Sequence, residues 1–117
     1  MTNRFGTALD RNGYAPSIVQ TNTRVCWLDG LGGGKLDRHK IFGGPFRKKS
    51  KALGLWVCLH HRMCHLDGPE AVHCNADTML RLKQAGQRAA MQTYGWTVED
   101  FRREFGKNYL NLEDMDA

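Results

Sequence analysis

Leu36-Asp37-Arg38-His39-Lys40-Ile41-Phe42-Gly43-Gly44-Pro45 and, after a basic run, Leu53-Gly54-Leu55-Trp56-Val57-Cys58-Leu59-His60 are the stretches on which the fold turns. Each is rich in β-branched, aliphatic and aromatic residues and is bounded by glycine or proline, which is how a short strand reads. Strands are predicted over 36–42 and 53–59. They pair antiparallel across a loop that carries Arg47-Lys48-Lys49-Ser50-Lys51. Side chains at i and i+2 share one face of a strand. Asp37, His39 and Ile41 are therefore expected on one face, and Arg38 and Lys40 on the other.

On the N-terminal side, residues 1–16 read as an irregular segment rich in Asn, Gly and Arg, and 17–20 and 23–27 read as short strands. Gly30-Leu31-Gly32-Gly33-Gly34 is a breaker; no Gly-Lys-Ser/Thr follows it, so it is not a phosphate loop. On the C-terminal side, Asn75 offers an N-cap to a helix over 76–94, closed by Gly95. Met79, Leu82, Gly86, Ala89 and Ala90 recur at helical spacing, and the small residues Ala85, Gly86, Ala89 and Ala90 allow close packing, within the chain or in a homodimer. A last helix is predicted from Thr97 to Gly106, with a capping box of Thr97 and Asp100 and a staple of Trp96 and Phe101. The acidic tail 113–117 is expected to fray. The whole, 1–117, reads as a single α+β domain: a core over 17–74 entering a helix, then two C-terminal helices over 75–112.

Ligand-type side chains crowd the middle of the chain. Positions 39 to 74 hold all five histidines and three of the four cysteines: His39, Cys58, His60, His61, Cys64, His65, His73 and Cys74. Imidazole nitrogen and thiolate sulfur are the side-chain donors that zinc and similar ions take. Charge is concentrated in the same place. Residues 35–65 carry eight Lys/Arg against Asp37 alone, in a chain of net charge +5. A basic patch of this kind is the footprint of a polyanion binder. Strand with His39, basic loop, strand running into His60 and Cys64, then His73 at a helix start is the layout of a ββα-metal site. One histidine on the strand activates water or helps hold the ion, and a second at the helix holds a divalent cation against a phosphate.

These residues resemble the HNH, or His-Me finger, nucleases in a form carried by phages and prophages. The resemblance rests on Asp37-Arg38-His39-Lys40-Ile41-Phe42-Gly43-Gly44, Arg47-Lys48-Lys49-Ser50, Gly54-Leu55-Trp56-Val57-Cys58-Leu59-His60, Cys64-His65 and Ala71-Val72-His73, about one third of the chain. The tail Phe105-Gly106-Lys107-Asn108-Tyr109-Leu110 is similar as well. The chain departs from the pattern where Arg38 and Lys40 flank His39 and where Gly54 stands in the region of the central Asn. The resemblance implies a metal-dependent endonuclease acting on DNA, with Mg, Mn or Zn held by His39 and His73. His39 serves as base or ligand, with Asp37 as its catalytic companion, and Arg38, Lys40, Arg47, Lys48, Lys49 and Lys51 hold phosphates. Cys26 is what remains of a Cys-x-x-Cys knuckle. With His60 and Cys64 it implies a structural zinc, whose fourth ligand is Cys58, Asp29 or His65.

His61 and His65 are otherwise read as spare polar residues, Cys74 as a small buried side chain, and Trp27, Trp56, Met79, Leu80 and Leu82 as core. Two other functions fit the same residues: a DNA-binding or recombination-accessory protein that keeps the frame without cutting, and a zinc-stapled phage protein that binds a host protein. The start Met1-Thr-Asn-Arg-Phe-Gly-Thr lacks the apolar stretch of a signal peptide, and no window is apolar enough to span a membrane. The expectation is a cytoplasmic protein with reduced cysteines, in the bacterial host if phage-encoded.

Overall fold

Two five-residue strands, β1 (Leu36–Lys40) and β2 (Trp56–His60), form the one sheet among the described residues. They pair antiparallel, with Leu36 opposite His60, Arg38 opposite Cys58 and Lys40 opposite Trp56. The structure, a computed structural model, describes residues 1–111, so the tail at 113–117 lies outside the described residues. Among the described residues three α-helices complete an α+β architecture: α1 (Arg47–Ala52) between the strands, α2 (Ala76–Tyr94) and α3 (Val98–Phe105). As the alternation predicts, Arg38 is exposed and His39 is buried.

The basic run is helical, which corrects its expected place in a loop. Gly44–Phe46 forms a 3-10 turn with Pro45 at its start, and lysine and arginine then extend it as good helix formers. Buried Ser50 fixes the helix to the strands: its Oγ accepts from Phe42 N at 3.2 Å and donates to Leu55 O at 2.6 Å. The result is a short helix whose Arg47 and Lys48 stand in solvent beside the end of β1.

Residues 17–20 and 23–27 are not strands. They do cover the free edge of β2, but by single bonds, several of them through side chains. Ser17 Oγ donates to Trp56 O (2.7 Å), Cys58 N donates to Gln20 Oε1 (2.9 Å), and Trp27 N donates to Cys58 O (2.8 Å). The backbone groups of β2 are thereby satisfied without a third ladder. Gly54, at φ +77°, lies so close to Pro16 O that no side chain fits there.

α2 begins where predicted. Asn75 Oδ1 accepts from Thr78 N at 3.0 Å, and Gly95 ends the helix in the left-handed region at φ +68°. Thr78, Leu82, Gly86 and Ala90 make its buried row. Leu80 falls on the opposite side of the helix and is 43% exposed, so it is not core. A Cβ at Gly86 would sit 3.1 Å from Ile41 and Phe42, so the small residue lets the end of β1 lie directly on α2. In α3 the capping box is complete: Thr97 Oγ1 accepts from Asp100 N (3.1 Å), and Asp100 Oδ2 accepts from Thr97 N (2.9 Å). Phe101 and Phe105 then close over Phe42, at ring distances of 5.4 and 4.7 Å. Ile41, Leu55, Val57, Leu59 and Leu82 fill the rest of the core.

Candidate metal centres

The turn after β2 decides where the ligand-type residues go. His61–Leu66 is a wide π-helical turn, a feature common at functional sites. Side chains four apart along a helical turn project together. His60 and Cys64 therefore leave on one side, and His61 and His65 on the other. The backbone then doubles back, with Val72 N donating to Cys64 O (3.0 Å) and His73 N to His65 O (3.3 Å). That return lays His73 beside His65, and two separate clusters result.

The first cluster joins Cys26, Asp29, His60 and Cys64, whose donor atoms all lie within 4.8 Å of one another. Cys26 and Asp29 come from one tight turn: Gly30 N donates to Cys26 O (2.8 Å), and Leu31 N to Asp29 Oδ1 (2.9 Å). His60 Nδ1 lies 2.9 Å from Asp29 Oδ2 and 3.9 Å from Cys64 Sγ, while its Nε2 reaches Gly33 O at 3.1 Å. A proton on Nε2 bonded to that carbonyl leaves Nδ1 free to ligate, which is how histidine ligands are usually held. Both cysteines are buried. Burial, together with Cys26 and Asp29, pushes the Cys64 thiol up to about 12. The Asp29 carboxyl sits below its ordinary value; burial opposes this, and bonds from Leu31 N and His60 outweigh it. Two sulfurs, one imidazole and one carboxylate form a four-donor set suited to tetrahedral zinc. Its fourth member is Asp29. Cys58 and His65 are elsewhere.

The second cluster is made of imidazole alone. His39, His65 and His73 bring ring nitrogens within 4.8 Å of one another. His39 Nδ1 is 3.2 Å and His73 Nε2 is 3.1 Å from His65 Nε2. Four ligands at zinc–nitrogen bond lengths stand about 3.3 Å apart along a tetrahedral edge, so the spacing fits one shared cation. Asp37 Oδ2 takes His65 Nδ1 at 2.9 Å and His61 Nδ1 at 2.6 Å. It thereby turns the His65 Nε2 lone pair toward the other rings, as a carboxylate does behind a metal-bound histidine. Burial opposes ionisation of the Asp37 carboxyl, but these two histidines hold its pKa below the ordinary value. His39 is driven down to about 3, by burial first and then by His65, His73, Lys40 and Lys83. His73 is also lowered, by burial and by His65. Both shifts favour the neutral ring, the form that offers a lone pair. His39 Nε2 is buried without a partner, so the polar contacts of that ring are all made at Nδ1.

The surroundings of the two clusters differ. The three-histidine cluster lies in a cleft of about 350 Å³ that Arg38, Lys40, Gly43, Gly44 and Arg47 also line. Arg38 bonds Asp10 at 2.8 Å, and Lys40 bonds Tyr14 Oη at 3.3 Å. Lys49 does not belong to this cleft. It ties α1 to α3, with Nζ 2.8 Å from Glu104 O and 3.2 Å from Glu104 Oε1. Lys48 and Lys51 line a neighbouring depression.

Sequence reasoning brought together His39 with His73, and Cys26 with His60 and Cys64, and the structure does the same. His65, read as spare or as a fourth zinc ligand, stands instead with His39 and His73, and His61, read as spare, is a second donor to Asp37. The signal was present: His60-His61 followed four residues later by Cys64-His65 is a doublet at helical spacing, two pairs for two faces. Cys74 is exposed, its thiol donating to Leu66 O at 2.8 Å, so it is not a buried filler. Cys58 is buried against β1, its thiol raised first by burial, and lies outside both clusters.

Compared with protein-family models, curated proteins and solved structures, the chain finds no match in any of the three. Among the described residues no helix is long and apolar enough to cross a membrane.

Proposed function

We propose that the chain is a metal-dependent phosphodiester hydrolase of HNH-like type acting on DNA, built on a ββα-metal frame. The observation that carries the reading is the convergence of three imidazole nitrogens, at 3.1 and 3.2 Å, in a cleft walled by Arg38, Lys40 and Arg47. His39 on β1 and His73 ahead of α2 are the pair the sequence resemblance implies, and His65 on the turn joins them in holding the ion. A divalent ion bound there supplies positive charge against the scissile phosphate and the leaving oxygen. Asp37 acts through His65, keeping its ring turned toward the other two. The cleft cations hold the phosphate backbone and carry no base information. The Cys26, Asp29, His60 and Cys64 cluster is assigned a structural zinc, because its thiols are buried and its four donors leave no open position.

The test is incubation of purified protein with plasmid and with single-stranded DNA in Mg²⁺, Mn²⁺ or Zn²⁺, beside His39→Ala, His65→Ala and His73→Ala. Cutting by the parent that all three substitutions abolish supports the assignment. Cutting that survives them would falsify it. Salt-sensitive DNA binding without cutting in any metal would favour the accessory-protein reading instead, since phosphate contacts make affinity fall steeply with salt. No DNA binding at low salt would leave the zinc-stapled protein-binding module.

A further inference from the structure

A second depression, of about 720 Å³, lies between the turn at residues 9–13 and the start of α1. Leu9, Pro45 and Ala52 give it an apolar lining, and Arg11, Arg47 and Lys48 give it positive charge. Those three cations are exposed, and none forms an ion pair with a described residue. The lining has one carboxylate, Asp10, and it is already engaged. Asp10 Oδ1 accepts from Asn12 N (2.9 Å) and Tyr14 N (3.0 Å), and Oδ2 accepts from Arg38 at 2.8 Å. The turn itself is held to α1, with Lys51 Nζ donating to Asn12 O at 2.7 Å. Gly44 and Arg47 line both this depression and the cleft of the three-histidine cluster, so the two adjoin across these residues.

We infer that this depression receives a nucleobase from the strand whose phosphate lies at the three-histidine cluster, and that the substrate is therefore a single strand or a strand with an unstacked base. The inference rests on the hydrolase reading for the position of the phosphate. A stacked, paired base has neither face free and enters a pocket only after leaving the duplex. Single-strand binders combine cations that track the phosphates with a face that takes the flat base, aromatic in the usual case; here Leu9, Pro45 and Ala52 offer an aliphatic face beside the cations. Arg47, shared by both hollows, stands where the phosphate between them would run. A wholly aliphatic ligand would leave three unpaired cations around it, and a duplex backbone alone would leave the apolar lining empty.

The experiment uses a short phosphorothioate single-stranded DNA carrying 2-aminopurine at successive positions, titrated into the metal-loaded protein. One position is expected to change its fluorescence far more than the rest. Ala52→Leu, which fills the apolar seat without altering charge or adding an aromatic face, is expected to erase that position dependence and weaken binding at least about fivefold, with circular dichroism and metal content unchanged. An equal response at every position, or unaltered binding by a folded Ala52→Leu, overturns the inference. A second measurement needs no variant: thymidine 5′-monophosphate titrated into the labelled protein is expected to shift the amide signals of Gly13 and Gly44, and absence of those shifts overturns it as well. Position-specific fluorescence without cutting in any metal removes the hydrolase reading and supports the base seat. Cutting of duplex with neither response removes the base seat and leaves the hydrolase.

Discussion

The two metal-type clusters of this chain are fed by the same six-residue turn and differ in nearly everything else. At the Cys26, Asp29, His60 and Cys64 cluster the sulfurs are buried and the donors close on one another. At the His39, His65 and His73 cluster there is no thiol, and the rings open on a cleft with cations in its walls. One-residue offsets, His60 against His61 and Cys64 against His65, send side chains to opposite destinations. On the proposed reading the sulfur-bearing four-donor set serves stability, and the imidazole set beside a cationic cleft leaves room for a substrate. If that reading holds, ligand type and surroundings, rather than ligand number, separate a staple from a working centre.

The largest expected effect is on the closed cluster. Cys64→Ser, or chelation of the wild type, should cost more than about 4 kcal/mol of stability, the linkage expected when a tightly bound ion is lost from the folded state alone. Denaturant unfolding with metal analysis by mass spectrometry checks this. If chelated protein unfolds at the same midpoint, the cluster is no staple and the contrast collapses. Next comes His65→Ala, which should abolish cutting while lowering stability by no more than about 1 kcal/mol, as for a partly exposed side chain away from the packed core. A large stability loss with retained cutting would exchange the roles of the two clusters. Third, Asp37→Asn removes the carboxylate behind His65 and His61 and should weaken metal affinity or cutting by about 10- to 100-fold. Unchanged affinity by competitive chelator titration would mean that the ring needs no such support. The smallest effect is expected at Asn75→Ala, which removes the α2 cap just beyond His73 and should cost about 1 kcal/mol. Thermal unfolding checks it, and metal content should stay as in the parent.

Much of this arrangement is legible along the chain. Both strands, the Asn75 cap, the capping box of Thr97 and Asp100 and the stops at Gly95 and Gly106 are local signals, each set by a few neighbouring residues. The errors fall where local propensity met tertiary demand. Residues 17–27 look extended, yet they serve the edge of β2 through Ser17 and Gln20 side chains. The basic run reads as a loop by charge, yet Pro45 and a buried Ser50 hold it in a helix. Leu80 looks like core by composition and lies on the wrong side of α2.

The sequence alone determined which side chains were present for chemistry: the five histidines, the Cys26-x-x-Asp29 turn and the surplus of cations beside them. It also determined the strand–loop–strand–helix order that brings His39 and His73 toward one place. Only the tertiary structure decided the partition. Whether His65 joins His39 or Cys64 depends on how the π-helical turn rotates between β1 and residues 72–73. That rotation is fixed by bonds from Val72 and His73 back to Cys64 and His65 and from two histidines to Asp37. The doublet marks two faces, but which face meets His39 is set by the bonds to Asp37, 24 and 28 residues away in the chain, and no local pattern encodes those.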